Sequence, residues 1–291
     1  MTIGIAGAGR MGTAFARRLI ETGNEITIWN RTPARTADAA QAGARLASDL
    51  AELATSDVIL ISLTDAAAVN AIADGLIAAG IAGRLVIDMS TILPDESRRV
   101  AAKIAAAAAD FVDCPVGGTV APALKGQLLG MAGGSDAAFA RAKPVLDQLC
   151  RRVEHLGPAG NGAQMKLALN LPLALYWQTL AEALALLNGA GIPVEKAVSL
   201  IADSSAGPAV LKNRAQVVVD TLGGTDQPGT FDISGLAKDL DLALRFAAEG
   251  GKRLPLSETA RASYARALAE GLGRFDGASL TRMLLGYARW R

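Results

Sequence analysis

The sequence predicts a doubly wound α/β domain followed by an all-α domain, and three observations carry this. Short β-rich runs alternate with Ala-rich helical runs through the first half, strand signals stop near Leu156, and the remainder is helical between Gly/Pro-rich breaks. Strands separated by helices need right-handed crossovers, which build a largely parallel sheet with helices on both faces. The strand runs are Thr2 to Ala6, Glu25 to Trp29, Val58 to Ser62, Leu85 to Met89, Phe111 to Asp113, Leu128 to Ala132 and Arg152 to Leu156. The segments between them carry apolar residues at helical spacing.

From Gly162 to Asn188 the chain is almost unbroken in helix-forming residues. Such a helix spans roughly 40 Å at about 1.5 Å per residue, and Pro172 is expected to kink it. Further helices are expected over Pro193 to Ala202, Ala209 to Val219, Gly235 to Glu249, Leu256 to Glu270 and Ser279 to Tyr287, with breaks at Gly223-Gly224 and Asp226 to Thr230. The organisation is therefore residues 1–160 as the α/β domain, 161–190 as an inter-domain helix and 191–291 as the all-α domain. Leucines from Leu167 to Leu187 make the long helix apolar nearly all round, so it needs cover on most sides. A second subunit is expected to supply part of that cover, in a homodimer or homotetramer.

At 291 residues the chain is long enough for two cores. It is 51% hydrophobic and 20% charged with formal net charge +1, which disfavours nucleic acid, an anionic membrane surface or a polyanionic partner. A small-molecule substrate is the default. The two cysteines, Cys114 and Cys150, sit in no metal-like or CxxC spacing, which fits a reducing compartment and a cytoplasmic location. The opening MTIGIAGAGRMG lacks the basic leader and cleavage site of a secretory signal, and Ala-rich stretches such as Ala105 to Ala109 fall short of the roughly 20 apolar residues of a membrane span.

Gly7-Ala8-Gly9-Arg10-Met11-Gly12 matches GxGxxG. In a chain with 31 glycines the string alone says little, and its context decides. An apolar strand precedes it, a helix from Thr13 to Glu21 follows, and a second strand arrives where a βαβ unit requires one, as in a Rossmann-type dinucleotide site. Gly7 permits the tight turn, Gly9 lets a pyrophosphate approach the backbone and Gly12 lets helix and strand pack closely, while the helix amino terminus offers free N–H groups to the phosphates. A merely structural glycine turn is the alternative.

After the second strand, an NAD site usually offers Asp or Glu to the adenosine ribose, whereas this chain reads Asn30-Arg31-Thr32. Arg31 can pair with a 2′-phosphate, and Asn30 and Thr32 can add uncharged hydrogen bonds. These residues favour NADP over NAD. A solvated surface arginine beside a neutral ribose contact is the bland counterpart.

Three further segments lie at strand ends or at the domain junction. Leu63-Thr64 and Ser90-Thr91 are polar breaks that could line the nicotinamide or ribose, although Ser90 or Thr91 could equally cap a helix beginning near Pro94. Asp113 to Thr119, with Gly117 and Gly118, reads as a strand end and glycine turn able to present N–H groups to a carboxylate. Lys166 and Asn170 fall at i and i+4 on one face of the long helix. A lysine among leucines either reaches solvent along its stem or has its pKa lowered into a range useful for proton transfer.

At these segments the chain resembles the β-hydroxyacid dehydrogenase family, which includes 3-hydroxyisobutyrate dehydrogenases, tartronate semialdehyde reductases and glyoxylate/succinic semialdehyde reductases. The resemblance covers essentially the whole chain, through Gly4 to Gly12, Asp113 to Gly118 with Gly126 and Gly133-Gly134, Gly162 with Lys166 and Asn170, and Lys238-Asp239-Leu240. It implies Lys166 as general acid/base, Asn170 as a residue orienting substrate and lysine, Thr91 as a nicotinamide-side contact and Lys238 as a residue reaching the cofactor. It also implies hydride transfer between nicotinamide C4 and a small β-hydroxy acid or semialdehyde, and the Asn30-Arg31-Thr32 stretch is similar to that of NADP-preferring members. One departure stands out. Gly117 occupies the place of the family's substrate-binding serine and Thr119 that of a further glycine, so a carboxylate-binding hydroxyl is missing unless N–H groups of Gly117 to Thr119 or the Thr119 hydroxyl substitute. The related imine reductases share the architecture but generally lack the lysine, and a catalytically idle NADP-binding module is the third reading.

The lone histidine, His155, follows Glu154 on a strand and reads as structural; Trp177 reads as core or subunit packing before active-site lining, and Cys114 as a small buried apolar residue before a substrate-pocket contact. Asp203, Asp232 and Asp241 have no ligand spacing, so no metal is expected.

Overall fold

The computed structural model describes residues 1–187 and 189–286; Asn188 and Tyr287, the expected ends of two helices, lie outside the described residues. The chain divides into two compact units, Met1–Lys166 and Leu167 onward, and the division falls inside one helix.

The first unit is built on strands β1 (Thr2–Ala6), β2 (Glu25–Trp29), β3 (Arg45–Leu46), β4 (Val58–Ile61), β5 (Leu85–Asp88), β6 (Asp110–Asp113), β7 (Val116–Gly117), β8 (Leu128–Gly134) and β9 (Cys150–His155). Their order is β3-β2-β1-β4-β5-β6-β8-β7, with β9 against β8. Pairing is parallel from β3 to β6, antiparallel where β8 meets β6 and β7, and parallel again between β8 and β9. The expected largely parallel sheet is therefore present, with β8 as the reversed strand.

Its helices are α1 (Arg10–Glu21), α2 (Ala37–Gln41), α3 (Leu50–Ala54), α4 (Ala66–Ala79), α5 (Pro94–Ala106), α6 (Val120–Leu124) and α7 (Asp136–Leu149). Successive residues of a strand point to opposite faces, and the two cores follow that alternation. Leu60, Leu85 and Ile87 pack with Phe15 and Leu19 of α1 and Leu146 of α7, whereas Ile59, Ile61 and Val86 pack with Leu76 of α4 and Ile104 of α5. Helix starts are fixed by side chains. Asp49, Asp65 and Ser135 accept from the N–H three residues on, satisfying donors that a first turn leaves free.

Helix α8 (Asn161–Ala185) is one continuous segment of 25 residues through Pro172, about 37 Å long at 1.5 Å per residue. The second unit continues with α9 (Val194–Asp203), α10 (Ala209–Leu222), α11 (Ile233–Glu249), α12 (Pro255–Ala269) and α13 (Gly277–Leu284). Its core gathers Trp177, Leu180 and Leu184 of α8 with Leu211, Leu236, Leu240, Tyr264 and Met283. Two hydrogen bonds tie later helices to α8: the Tyr264 hydroxyl donates to the Ala174 carbonyl at 2.7 Å and the Thr281 hydroxyl to the Trp177 carbonyl at 2.8 Å. Trp177 is a core residue, as its sequence setting suggested. Among the described residues no helix is long and apolar enough to cross a membrane.

Candidate active site

The strand order reverses between β1 and β4, and in an open α/β sheet such a switch point leaves a crevice outside the carboxyl ends of the strands. The glycine turn sits there. Gly7, at φ +115°, donates its N–H to the Trp29 carbonyl at 2.9 Å; a Cβ at Gly7 would lie 2.2 Å from the Ser62 carbonyl oxygen. A Cβ at Gly12 would lie 1.9 Å from the Gly7 carbonyl oxygen, so only glycine permits this approach of α1 to the turn. At Gly9 a Cβ would meet no heavy atom of the described residues within 4 Å. Gly9 is also the N-cap of α1, whose first turn carries no acid. Open space before an uncapped helix N-terminus fits a pyrophosphate, which the first-turn N–H groups and the helix dipole would hold. Arg10 is exposed, whereas the partly buried Met11 side chain packs on the core.

Asn30 is engaged with the turn itself. Its Oδ1 accepts from the Ala8 N–H at 3.0 Å and its Nδ2 donates to the Thr32 carbonyl at 2.9 Å. This bridge between turn and loop is not visible in the sequence, which offers Asn30 only as a ligand. Arg31 and Thr32 are exposed. Asp65 is held below the usual carboxylate range by the Ala68 N–H, then by the Thr64 hydroxyl, with the Arg31 guanidinium contributing least.

The ends of β4 and β5 are laced together. Leu63 donates its N–H to Ser90 Oγ at 3.0 Å, and Ser90 donates its own N–H to Asp88 Oδ1 at 2.9 Å. Ser90 is therefore a tether; the N-cap of α5 is Leu93, whose N–H is met by Glu96, and neither Ser90 nor Thr91 occupies that position. Thr64 is exposed and Thr91 half-buried. Asp88 is fully buried, and burial pushes its carboxyl up to about 7, against the hydrogen bonds from Ser90, with the charge of Asp113 adding to the rise. Asp113 is its neighbour in register across β5 and β6.

Asp113 grips the start of α8. Its Oδ1 accepts from the Gly160 N–H and its Oδ2 from the Ala163 N–H, both at 2.7 Å. Burial raises its pKa, opposed by those two amides. Three residues on, the Val116 carbonyl accepts from the Lys166 ammonium at 2.7 Å, and Lys166 is 8% exposed. The lysine does not reach out along its stem into water.

Gly117 lies in β7, opposite Leu129 of β8, so the expected turn begins one residue later. Gly118 makes it, at φ +118°. Thr119 is the extended N-cap of α6, and its hydroxyl makes no capping bond. Cys114 is buried, and burial holds its thiol well above the usual range. His155 has a structural role, stacked on Phe139 with ring centroids 4.6 Å apart and its Nε2 2.9 Å from the Gly134 carbonyl oxygen.

Within the second unit, Asn170 Nδ2 donates to Asp239 Oδ2 at 2.6 Å, and Lys238 Nζ lies 2.9 Å from Asp239 Oδ1. Asp239 is 4% exposed and thus joins Asn170 and Lys238 into one polar chain. Sequence reasoning gave roles to the two outer members and quoted Asp239 between them only as part of the Lys238-Asp239-Leu240 run.

Residues 2–157 match the family model of the NAD binding domain of 6-phosphogluconate dehydrogenase, and residues 160–284 that of the NAD-binding region of NADP-dependent 3-hydroxyisobutyrate dehydrogenase. The 2-(hydroxymethyl)glutarate dehydrogenase of Eubacterium barkeri is 31% identical, over 97% of this chain and 94% of that protein. Glyoxylate/succinic semialdehyde reductase 1 of Arabidopsis thaliana is 28% identical, over 95% and 96%. Among solved structures, Mycobacterium tuberculosis 3-hydroxyisobutyrate dehydrogenase with L-serine is similar at a TM-score of 0.87 and 27% identity, over 97% and 98% of the two chains. An imine reductase from Pseudomonas sp. shares the fold at a TM-score of 0.64 and 22% identity, over 97% and 98%.

Proposed function

Because this chain belongs to the β-hydroxyacid dehydrogenase family, we propose that it uses NADP to interconvert a small β-hydroxy acid and its semialdehyde, with Lys166 as the general acid/base. Its class, a nicotinamide-dependent dehydrogenase/reductase, follows from the family. The observation that carries the catalytic assignment is the buried Lys166 ammonium on the Val116 carbonyl, next to Gly117.

A nicotinamide cofactor held at the glycine turn would supply or take the hydride at C4. Lys166 Nζ gives a proton to the carbonyl oxygen as the carbonyl carbon is reduced, and takes it back from the hydroxyl in the reverse direction. The Val116 carbonyl fixes the Nζ position of a group that carries more than one proton to donate. Asn170, one turn further along α8, orients substrate and lysine, and Lys238 is a cofactor contact. Leu63, Thr64 and Thr91 would line the cofactor. With glycine at position 117, the substrate carboxylate takes N–H groups of Gly117 to Thr119 or the Thr119 hydroxyl, which no capping bond occupies.

Gly7, Gly9 and Gly12, with the N–H groups of Arg10 and Met11, hold the pyrophosphate, and Arg31 the 2′-phosphate. Asn30 supports NADP in a second way. Residues 30–32 include no acid to accept ribose hydroxyls, and the Asn30 amide is committed to Ala8 and Thr32. The same reading includes a homodimer or homotetramer, supported by Leu186 and Leu200, which are 86% and 71% exposed. A monomer by light scattering removes this part.

The test is oxidation of NADPH and NADH across a panel of semialdehydes, glyoxylate and cyclic imines. The proposal expects turnover of a semialdehyde or glyoxylate with NADPH preferred. Turnover of imines alone would transfer the chain to C=N reduction, and inactivity with every compound would favour an idle NADP-binding module.

A further inference from the structure

We propose that Asp113 is a positioning residue for the reaction, clamping the amino-terminal turn of α8 so that Lys166 Nζ is held on the Val116 carbonyl. This rests on the reading of Lys166 as acid/base.

Two short segments are fastened to each other at three points. Asp113 accepts from Gly160 and Ala163, and Val116 accepts from Lys166, each at 2.7 Å. Ala163 and Lys166 are three residues apart on one helix and thus one turn from each other. The carboxylate takes two N–H groups that the first turn cannot satisfy within the helix, and it places negative charge at the positive end of the helix dipole. From the end of β6 the chain then runs on, three residues later, to Val116 at the start of β7, whose carbonyl receives the ammonium.

The surroundings leave this clamp no slack. A Cβ at Gly162 would lie 2.2 Å from the Met131 carbonyl oxygen and 2.8 Å from that of Asp113. One at Gly160 would lie 2.9 Å from the Pro94 carbonyl oxygen, and one at Gly133 would lie 2.6 Å from Asp113 Oδ1. The helix start is pressed against β6 and β8, and Asp113 sets its rotation and height. A small displacement of a proton donor costs rate without changing what the protein binds.

Asp113→Asn keeps the shape but offers one acceptor where two N–H groups need one each. The first readout is independent of turnover: competitive labelling of the lysines of the apoprotein with acetic anhydride, read by mass spectrometry at Lys166. Labelling of Lys166 is expected to rise about fivefold in the variant, because the ammonium spends more time off its carbonyl. The second is the kinetic split on the best carbonyl substrate of the panel. Here kcat is expected to fall about 10- to 100-fold, with KM and the NADPH dissociation constant held within about twofold. Should Asp113→Asn not fold, Gly133→Ala drives a methyl group into the same carboxylate without altering charge, and the same pattern is expected.

Unchanged Lys166 labelling overturns the proposal, as does a lowered unfolding temperature with unchanged kcat, which would make Asp113 a helix anchor alone. Full turnover in Lys166→Ala overturns the acid/base reading instead. The labelling comparison then still decides whether Asp113 holds the lysine.

Discussion

Replacing Asp88 with asparagine should remove one identifiable pH dependence from the stability of the α/β unit. Burial moves the Asp88 carboxyl from about 4 to about 7, so between those values the folded protein holds a proton that the unfolded chain releases. The sign follows: stability from this group is fully present below pH about 4, falls as the pH rises toward 7, and is flat above. At 1.36 kcal/mol per pH unit, a window of about three units amounts to about 4 kcal/mol. In Asp88→Asn the side-chain amide would keep an acceptor for the Ser90 N–H, and its Nδ2 would stand where Oδ2 has no hydrogen-bond partner among the described residues. The variant therefore carries a constant cost of about 1–3 kcal/mol for an unpaired amide but no titration. Urea denaturation of both proteins at pH 4 to 8 gives the difference in unfolding free energy, in which other groups largely cancel. The wild type's lead of about 1–3 kcal/mol at pH 4 should fall by about 3–4 kcal/mol as the pH rises to 8, and so vanish or reverse in sign. Parallel stability curves across the window would refute the reasoning.

Two further substitutions test the cofactor site. Arg31→Ala should weaken NADPH by about 1.5–3 kcal/mol, roughly 10- to 150-fold in KM, while leaving NADH near its starting value; equal losses for both cofactors would remove Arg31 from the 2′-phosphate. Gly12→Ala places a methyl carbon 1.9 Å from the Gly7 carbonyl oxygen. It should cost about 1–3 kcal/mol of stability and abolish detectable NADPH binding in a fluorescence titration, and intact binding would contradict the close packing assigned to this position.

The alternation of strands and helices was legible because each element repeats one physical period over enough residues to be distinctive. Seven strand runs and the helices beyond Gly157 lie where periodicity places them. Two strands escaped. Arg45–Leu46 and Val116–Gly117 are two residues long, too short to express alternation, and Arg45 and Leu46 are both exposed. The direction of β8 was equally hidden, since a run of apolar residues specifies a strand but not the side from which the chain enters it. At the site, the tight turn at Gly7 and the close packing at Gly12 were readable because glycines spaced between a strand and a helix make a local pattern. The partners of Asp113 lie 47 and 50 residues away and that of Asn170 lies 69 away, and no pattern in one sequence encodes such pairs. Lys166 drew notice as a charge among leucines, but only the fold could say that its ammonium rests on Val116 instead of reaching into water.

The most direct measurement of the central claim is the turnover of Lys166→Ala beside its NADPH dissociation constant, on the carbonyl acid that the wild type reduces best. The account predicts that kcat falls by about 100- to 10,000-fold, the range general acid/base catalysis supplies, while NADPH binding stays within about twofold. Wild-type turnover in the variant, or loss of NADPH binding in step with loss of rate, would contradict it.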